Sequence, residues 1–263
     1  MDGHRARRRF GQNFLHDPGV IARLLRFIDA RPEQRLVEIG PGLGALTDGL
    51  VSAVKTLDVV EIDRDLIPRL RERFGDGVRI HEHDALRFDF TTLGTDELRV
   101  VGNLPYNIST PLMFHLLAQS GVIRDMHFML QKEVVDRLCA EPGSRDYGRL
   151  SVSVAARAEA RRLMRVGAGA FQPAPKVESA FVRLTPRRPD FPLPDPARFD
   201  RIVTAAFAQR RKTLSNALRG LLSPEQIRAA GIEPGDRAEV VSPAGFAALA
   251  AQHAADEPPP ADA

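Results

Sequence analysis

Short apolar runs rich in β-branched residues recur along the first half of the chain. Each is followed by a stretch whose apolar residues fall at helical spacing. The apolar runs are "RLVEIG" (35–40), "TLDVVEID" (56–63), "VRIHEHDA" (78–85), "LRVVGN" (98–103) and "MHFMLQ" (126–131). Between or after them lie "ALTDGLVSAV", "RDLIPRLRERF", "TPLMFHLLAQS" and "KEVVDRLCAE", all read as helices. A further helix starts earlier, where Asp17-Pro18 offers an N-cap and a first-turn proline ahead of "GVIARLLRFI". Strands alternating with helices predict a parallel, doubly wound α/β sheet. Beyond it, "RRLMRV" and "SAFVRLTP" flank "GAGAFQPAPKVE" and read as two strands joined by a proline-rich loop, an antiparallel addition at the sheet edge.

The pattern changes at "RRPDFPLPDP" (187–196), a proline-rich linker. After it come only helical stretches: "ARFDRIVTAAFAQ", "RKTLSNALRGLL", "SPEQIRAAG" and "SPAGFAALAAQ". Ser223-Pro224-Glu225 and Ser242-Pro243 are good helix starts. The expected organisation is a catalytic α/β domain over 1–186, the linker, a small helical domain over 197–254, and a disordered tail over 255–263.

Composition narrows the class. Hydrophobic residues make up 43% and charged residues 27% of 263, enough for a proper core. No apolar run approaches the roughly 18 residues of a membrane span, and the basic start "MDGHRARRRFGQNF" has no apolar segment of a secretory signal behind it. Cys139 is the only cysteine, so no internal disulfide is expected, and together these features point to the cytoplasm. No exposed apolar stripe calls for a second copy, so a monomer is expected. The net charge is only +3, but the positive residues cluster in 4–9, 160–165 and 209–212, and only four of the 37 cations are lysine. Arginine offers a planar fork for phosphate and a flat face for bases. Solvated arginines are the bland alternative, unless other residues demand a nucleic acid.

The chemistry gathers where strands end. "EIGPGLGALT" (38–47) puts glycines at 40, 42 and 44, so the backbone can turn tightly and approach a ligand at a helix N-terminus. The next strand ends in Glu61, about twenty residues on, where a carboxylate can hold ribose hydroxyls. The spacing is G-x-G-x-G, not the G-x-G-x-x-G of pyrophosphate binders. The third strand ends near Asp84, within reach of an adenine amino group. Two acids without a phosphate lysine suit S-adenosylmethionine (SAM) better than a nicotinamide cofactor; the competing reading is a pair of solvated loop acids.

The fourth strand delivers "GNLPY" beside the glycine turn. An adenine amino group is a poor nucleophile because its lone pair is delocalised into the ring. Two acceptors aimed at its N–H bonds would localise that pair, and the Asn103 side-chain oxygen and the Leu104 carbonyl can be those acceptors. Pro105 stiffens the turn, and Tyr106 can stack on a base, worth about 1–3 kcal/mol. Alone, Asn and Pro also make an ordinary turn. Cys139 lies in an apparent helix, which argues against the thiolate chemistry of cytosine C5 methylation. His81 and His83 fit no zinc signature and read as solvated, so no metal is expected.

Together these stretches resemble the ribosomal RNA adenine N6-dimethyltransferases, and within them the bacterial small-subunit branch. The matching segments are "RRFGQNFLHDP", "VEIGPGLGALT", "VVEIDRDL", "GNLPYNISTPLMFHLL", "DMHFMLQKEVVDRL", "YGRLSV", "FQPAPKVESAFVRL" and "FAQRRKTLSNAL", spanning nearly everything up to about residue 220. The resemblance implies a Rossmann-like class I SAM-dependent methyltransferase fold. It implies dimethylation of two adjacent adenosines in the 3′-terminal hairpin loop of 16S rRNA, late in assembly of the small (30S) subunit. It implies SAM contacts at Asn13, Leu15, Gly40, Glu61, Asp84 and Asn103, with Gly42, Ile62 and Ala85 beside them. Asn13 lies in a segment that periodicity alone reads as a basic arm. Phe171 matches a second aromatic expected to face Tyr106 across the base; a core phenylalanine is the alternative. Arg7, Arg8, Arg9, Arg210, Arg211 and Lys212 are the candidate phosphate contacts. The last three would open the "RKTLSNALRGLL" helix against its dipole, a small cost that phosphate could offset. Two rival readings stand beside this one: a 23S rRNA adenine methyltransferase of the macrolide-resistance type, and an RNA-binding assembly factor whose catalysis is dispensable.

Overall fold

The structure is a computed structural model of the chain, and it describes residues 12–94, 97–209 and 211–254. These divide into two compact units, one of residues up to 135 with 161–186, the other of 136–160 with 187 onward. The second unit therefore takes in 136–160, which the sequence assigns to the N-terminal part. The predicted tail 255–263 lies outside the described residues.

In the first unit, β1 (Phe14–Leu15) leads to α1 (Pro18–Ile28), β2 (Leu36–Ile39), α2 (Thr47–Ala53), β3 (Leu57–Glu61), α3 (Ile67–Phe74) and β4 (Val78–Glu82). Then come β5 (Leu98–Asn103), α4 (Ser109–Ala118), β6 (Ile123–Gln131) and α5 (Lys132–Leu138). After α6 (Arg149–Ala155) of the second unit, β7 (Ala158–Val166) leads back from the second unit into the first and is followed by β8 (Phe171–Gln172) and β9 (Ser179–Pro186). The cap read from Asp17 forms: its side chain accepts the Val20 N–H at 2.9 Å.

The main sheet has seven strands in the order β4-β3-β2-β5-β6-β9-β7. β4 to β6 run parallel, and β9 pairs antiparallel with β6, from Met126↔Leu184 to Gln131↔Ser179. The late strands are thus an addition on the β6 side, with β7 outermost and the antiparallel β9 one place in. The chain builds outward from β2 to β4, then crosses back to lay β5 on the other side of β2. Open α/β sheets hold ligands at such a reversal, outside the carboxyl ends of its two strands. Here those ends are Ile39 of β2 and Asn103 of β5.

Every residue of β2 is buried, as expected of a central parallel strand with both faces covered. At the opposite end of the sheet, buried Arg99 (5% exposed) ties α1 to β5. Its Nε donates to Asp125 Oδ1 at 2.9 Å, Nη2 to the Ile28 carbonyl at 2.7 Å and Nη1 to Gln34 Oε1 at 2.8 Å. A buried guanidinium is tolerable because its charge is paired and its donors are used, and one of the carbonyls it serves is left over at a helix C-terminus.

Two short strands escaped the sequence pattern. β1 pairs with β8, with Phe14 opposite Gln172 and Leu15 opposite Phe171. Two-residue strands carry no period, so the segment read as a basic arm is instead hydrogen-bonded structure.

In the second unit, α7 (Pro196–Ala208) is capped by Asp195, which accepts the Arg198 N–H at 2.9 Å. α8 (Leu214–Ala217), α9 (Pro224–Ala229) and α10 (Pro243–Ala254) complete it. Its core gathers Phe199, Ile202, Val203, Leu214, Leu218, Ile227, Phe246 and Leu249, and Tyr147 donates its hydroxyl to the Val241 carbonyl at 2.7 Å. The sequence assigned no element to "RLSVSVA", whose polar-apolar alternation imitates a strand; it folds as α6, with Val152 and Val154 buried. The expected long helix "RKTLSNALRGLL" shrinks to the four residues of α8. Thr213 is extended and bridges Arg237, and the Leu214 and Ser215 N–H groups donate to the Asp236 and Pro234 carbonyls. Arg211 and Lys212 therefore precede the helix rather than opening it. Cys139 likewise follows the last residue of α5.

Candidate active site

A cavity of about 250 Å³ opens at the reversal between β2 and β5. It is lined by residues 12–15, 38–43, 45–46, 60–62, 83–86 and 103–108. Asn13, Leu15, Gly40, Gly42, Glu61, Ile62, Asp84, Ala85, Asn103, Leu104, Pro105 and Tyr106, far apart in sequence, all line it.

The glycine turn leaves β2 with Gly40 at φ +64° and Gly42 at φ +60°, a left-handed conformation costly for residues with a Cβ. At Gly42 a Cβ would also come within 3.1 Å of the Phe14 ring, so this glycine lets the N-terminal segment lie against the turn. At Gly40 a Cβ would meet nothing within 4 Å; it would stand in the open cavity, where a ligand can instead approach bare backbone.

Glu61 ends β3 and is 5% exposed. Its Oε1 accepts the Ile62 N–H at 2.9 Å and the Asp63 N–H at 2.8 Å. Burial pushes its carboxyl above the ordinary glutamate range, opposed by the N–H groups of Asp63, Ile62 and Gly42. Asp84 follows β4 and accepts the Leu86 N–H at 3.0 Å on Oδ1. An acid braced by backbone donors at the end of β3, a second after β4 and an open glycine cradle fit a nucleoside-bearing cofactor such as SAM. Asn13, Leu15, Gly40, Gly42, Glu61, Ile62, Asp84, Ala85 and Asn103 are the residues that would hold it.

The N-terminal segment crosses this cavity and is fastened on both sides. Gln12 Nε2 donates to Asp63 Oδ2, and Asn103 Nδ2 donates to the Asn13 carbonyl, each at 2.9 Å. The second bond decides how Asn103 is turned. With its amide nitrogen used, its Oδ1 is left as the acceptor. Among the described residues no hydrogen bond reaches that oxygen or the Leu104 carbonyl. Gly102 explains how the loop sits so close to the turn: a Cβ there would lie 2.7 Å from the Ile39 carbonyl oxygen. Tyr106 is half-buried at the rim. Its backbone carbonyl accepts from Ser109 Oγ at 3.1 Å, and its hydroxyl lies 2.6 Å from Ser179 Oγ.

A model of the ribosomal RNA adenine dimethylases matches residues 3–254. The chain belongs to that family. Its members are SAM-dependent methyltransferases, and this chain is one of them. The ribosomal RNA small subunit methyltransferase A of Pseudomonas fluorescens is 58% identical over 98% of this chain and 97% of its own length. That of Pseudomonas aeruginosa is 58% identical over 95% of each. Among solved structures, the 23S rRNA methyltransferase ErmE superposes with a TM-score of 0.72 at 26% identity, covering 91% of this chain and 99% of that one. The sheet with its antiparallel addition is the class I methyltransferase fold that the family resemblance implied.

Some expected residues stand elsewhere. Phe171 is 1% exposed and belongs to the hydrophobic core with Leu15, Met129 and Phe181. Pairing of β8 with β1 turns the ring inward, so it does not line the cavity or face Tyr106 across it. Arg211 and Lys212 are exposed in the second unit; Arg7, Arg8, Arg9 and Arg210 lie outside the described residues. His81, read as solvated, instead has its Nε2 2.8 Å from buried Asp58. Among the described residues no group of three or more His, Cys, Asp or Glu could hold a metal ion.

Two site residues were missed by sequence reasoning. Glu38 is 2% exposed beneath the glycine turn and accepts the Thr47 hydroxyl on Oε2 at 2.6 Å. Burial raises its pKa to about 7, against the Thr47 bond and with the help of nearby Glu61 and Asp48. Its signal was legible: a lone acid inside the apolar run "LVEI". Ser179 had none, because only the register of β9 brings it to the rim.

Proposed function

We propose that the protein dimethylates the N6 amino groups of two adjacent adenosines in the 3′-terminal hairpin loop of 16S rRNA, late in small-subunit assembly, with SAM as methyl donor. The observation that carries this reading is the orientation of Asn103. Its amide nitrogen is committed to the Asn13 carbonyl at 2.9 Å, so its Oδ1 faces a ligand as an acceptor beside the Leu104 carbonyl. That pair suits the two N–H bonds of an exocyclic amine and draws its lone pair out of the ring. Pro105 holds the turn stiff and offers no competing donor, and Tyr106 supplies a face for the base. The bound cofactor contributes an activated methyl group on a sulfonium centre. Everything else the chain does is positioning: it aligns the amine, presents fixed acceptor dipoles and confines the reacting atoms. After attack, the nitrogen sheds a proton readily because it has become cationic, so no strong general base is required. A singly methylated amine keeps one N–H, so one acceptor bond remains to orient it for the second transfer.

The small-subunit target is supported by the names of relatives at 58% identity over nearly the full length. The 23S alternative rests on a structural relative at 26%. RNA loops are read largely as splayed bases and backbone shape, which suits a stacking tyrosine with arginines for phosphate. In this reading 1–186 is catalytic and 187–196 a linker. The helical part over 197–254 contacts the ribosomal RNA, with Arg7, Arg8, Arg9, Arg210, Arg211 and Lys212 as phosphate partners. The enzyme acts as a monomer in the cytoplasm on the immature small subunit.

The test is transfer from radiolabelled SAM to small subunits lacking the modification, with the product mapped by mass. Wild-type protein should yield N6,N6-dimethyladenosine at two adjacent positions, and Asn103→Ala should lose almost all transfer. Undiminished transfer by Asn103→Ala would refute the mechanism; modification of 23S rRNA instead would favour the alternative.

A further inference from the structure

We infer that Ser179 is a positioning residue that holds the Tyr106 ring in place for base stacking. The inference rests on the reading of Tyr106 as the stacking residue. Ser179 is fully buried, and its Oγ lies 2.6 Å from the Tyr106 hydroxyl. β9 runs antiparallel to β6 and begins at Ser179, opposite Gln131 at the end of β6. That reversal carries the start of β9 to the rim where the parallel strands end. β5 delivers Asn103 there as well, opposite Met129 of β6. The antiparallel strand therefore supplies a fixed hydroxyl at the active-site rim from a distant part of the sequence.

A tyrosine ring turns about two side-chain torsions. Backbone anchoring by Ser109 Oγ at the Tyr106 carbonyl fixes where the ring starts but leaves both torsions free. The hydroxyl contact with Ser179 fixes its far end. Held at both ends, the ring keeps its long axis in one direction at the cavity rim. Without the hydroxyl bond it keeps its stacking surface but swings about its first torsion to other positions, so fewer encounters put the amine in line with the methyl group.

Ser179→Ala should lower kcat/KM for the RNA substrate about three- to tenfold, the worth of one neutral hydrogen bond, with the cofactor Kd unchanged. Tyr106→Phe breaks the same bond without touching β9 and should lose about as much. The double variant should lose no more than either single one, and Ser179→Thr, which keeps the hydroxyl, should recover most of the activity. Additive losses in the double variant, or wild-type kinetics in Ser179→Ala, would overturn the inference. A second readout does not depend on turnover. The chain has two tyrosines and no tryptophan, so 13C-labelled tyrosine gives two ring environments by NMR. Ser179→Ala should move the Tyr106 resonance and leave that of Tyr147 in place; an unmoved Tyr106 resonance overturns the inference whatever the enzyme's substrate. Failure of wild-type protein to methylate adenine would instead remove the parent reading, with the tether itself still decided by the NMR comparison.

Discussion

Replacing Glu38 by glutamine should stabilise the cofactor-free protein, and the gain should grow with pH. Glu38 sits under the glycine turn with 2% of its surface exposed, and burial raises its pKa from 4.5 to about 7. The folded state thus holds this proton more tightly than the unfolded chain does. Stability from the protonated form is fully present below about pH 4.5 and is lost as pH rises through about 7. At about 1.4 kcal/mol per pKa unit, a displacement of this size is worth about 3 kcal/mol. Glutamine keeps an oxygen for the Thr47 hydroxyl and carries no charge at any of these pH values. Urea unfolding of both proteins without cofactor, at intervals from pH 5 to 8, measures the difference directly. The variant should lead by no more than about 1 kcal/mol at pH 5 and by up to about 3 kcal/mol at pH 8. A pH-independent difference, or a wild type that gains on the variant as pH rises, would refute the reasoning.

Two further outcomes follow from the same geometry. Gly102→Ala places a methyl group 2.7 Å from the Ile39 carbonyl oxygen, which cannot yield without parting β2 from β5. It should cost about 1–3 kcal/mol in denaturant unfolding and reduce methyl transfer through the neighbouring Asn103; wild-type stability would show that the strands are not in close approach. Arg211→Ala and Lys212→Ala should each reduce the slope of log affinity for RNA against log salt by about 1 and leave cofactor affinity unchanged; an unchanged salt slope would remove these side chains from the interface.

Much of this molecule is local enough to read from the chain. β2, β3, β4, β5 and β6 are written in apolar runs, and the Asp17 and Ser223 caps form where cap chemistry predicts them. The glycine turn, Glu61, Asp84 and the "NLPY" loop were legible because each sits at the end of a recognisable strand, and strand ends are where a parallel sheet gathers its ligand-binding groups. What local pattern misjudged has local causes too: the Ser-Val alternation concealed α6, and β1 and β8 are too short to show a period.

The sequence by itself determined the strand–helix alternation, the residue types at the site and the family. Only the tertiary structure decided three things: that Asn103 commits its amide nitrogen to the Asn13 carbonyl, that Phe171 lies in the core, and that Ser179 reaches Tyr106. Each depends on pairing between distant segments: Asn13 with Asn103, β1 with β8, β9 with β6. Side-chain direction in a sheet follows strand register, a one-residue slip of which reverses every face, and no local run of residues records the register of a partner far along the chain.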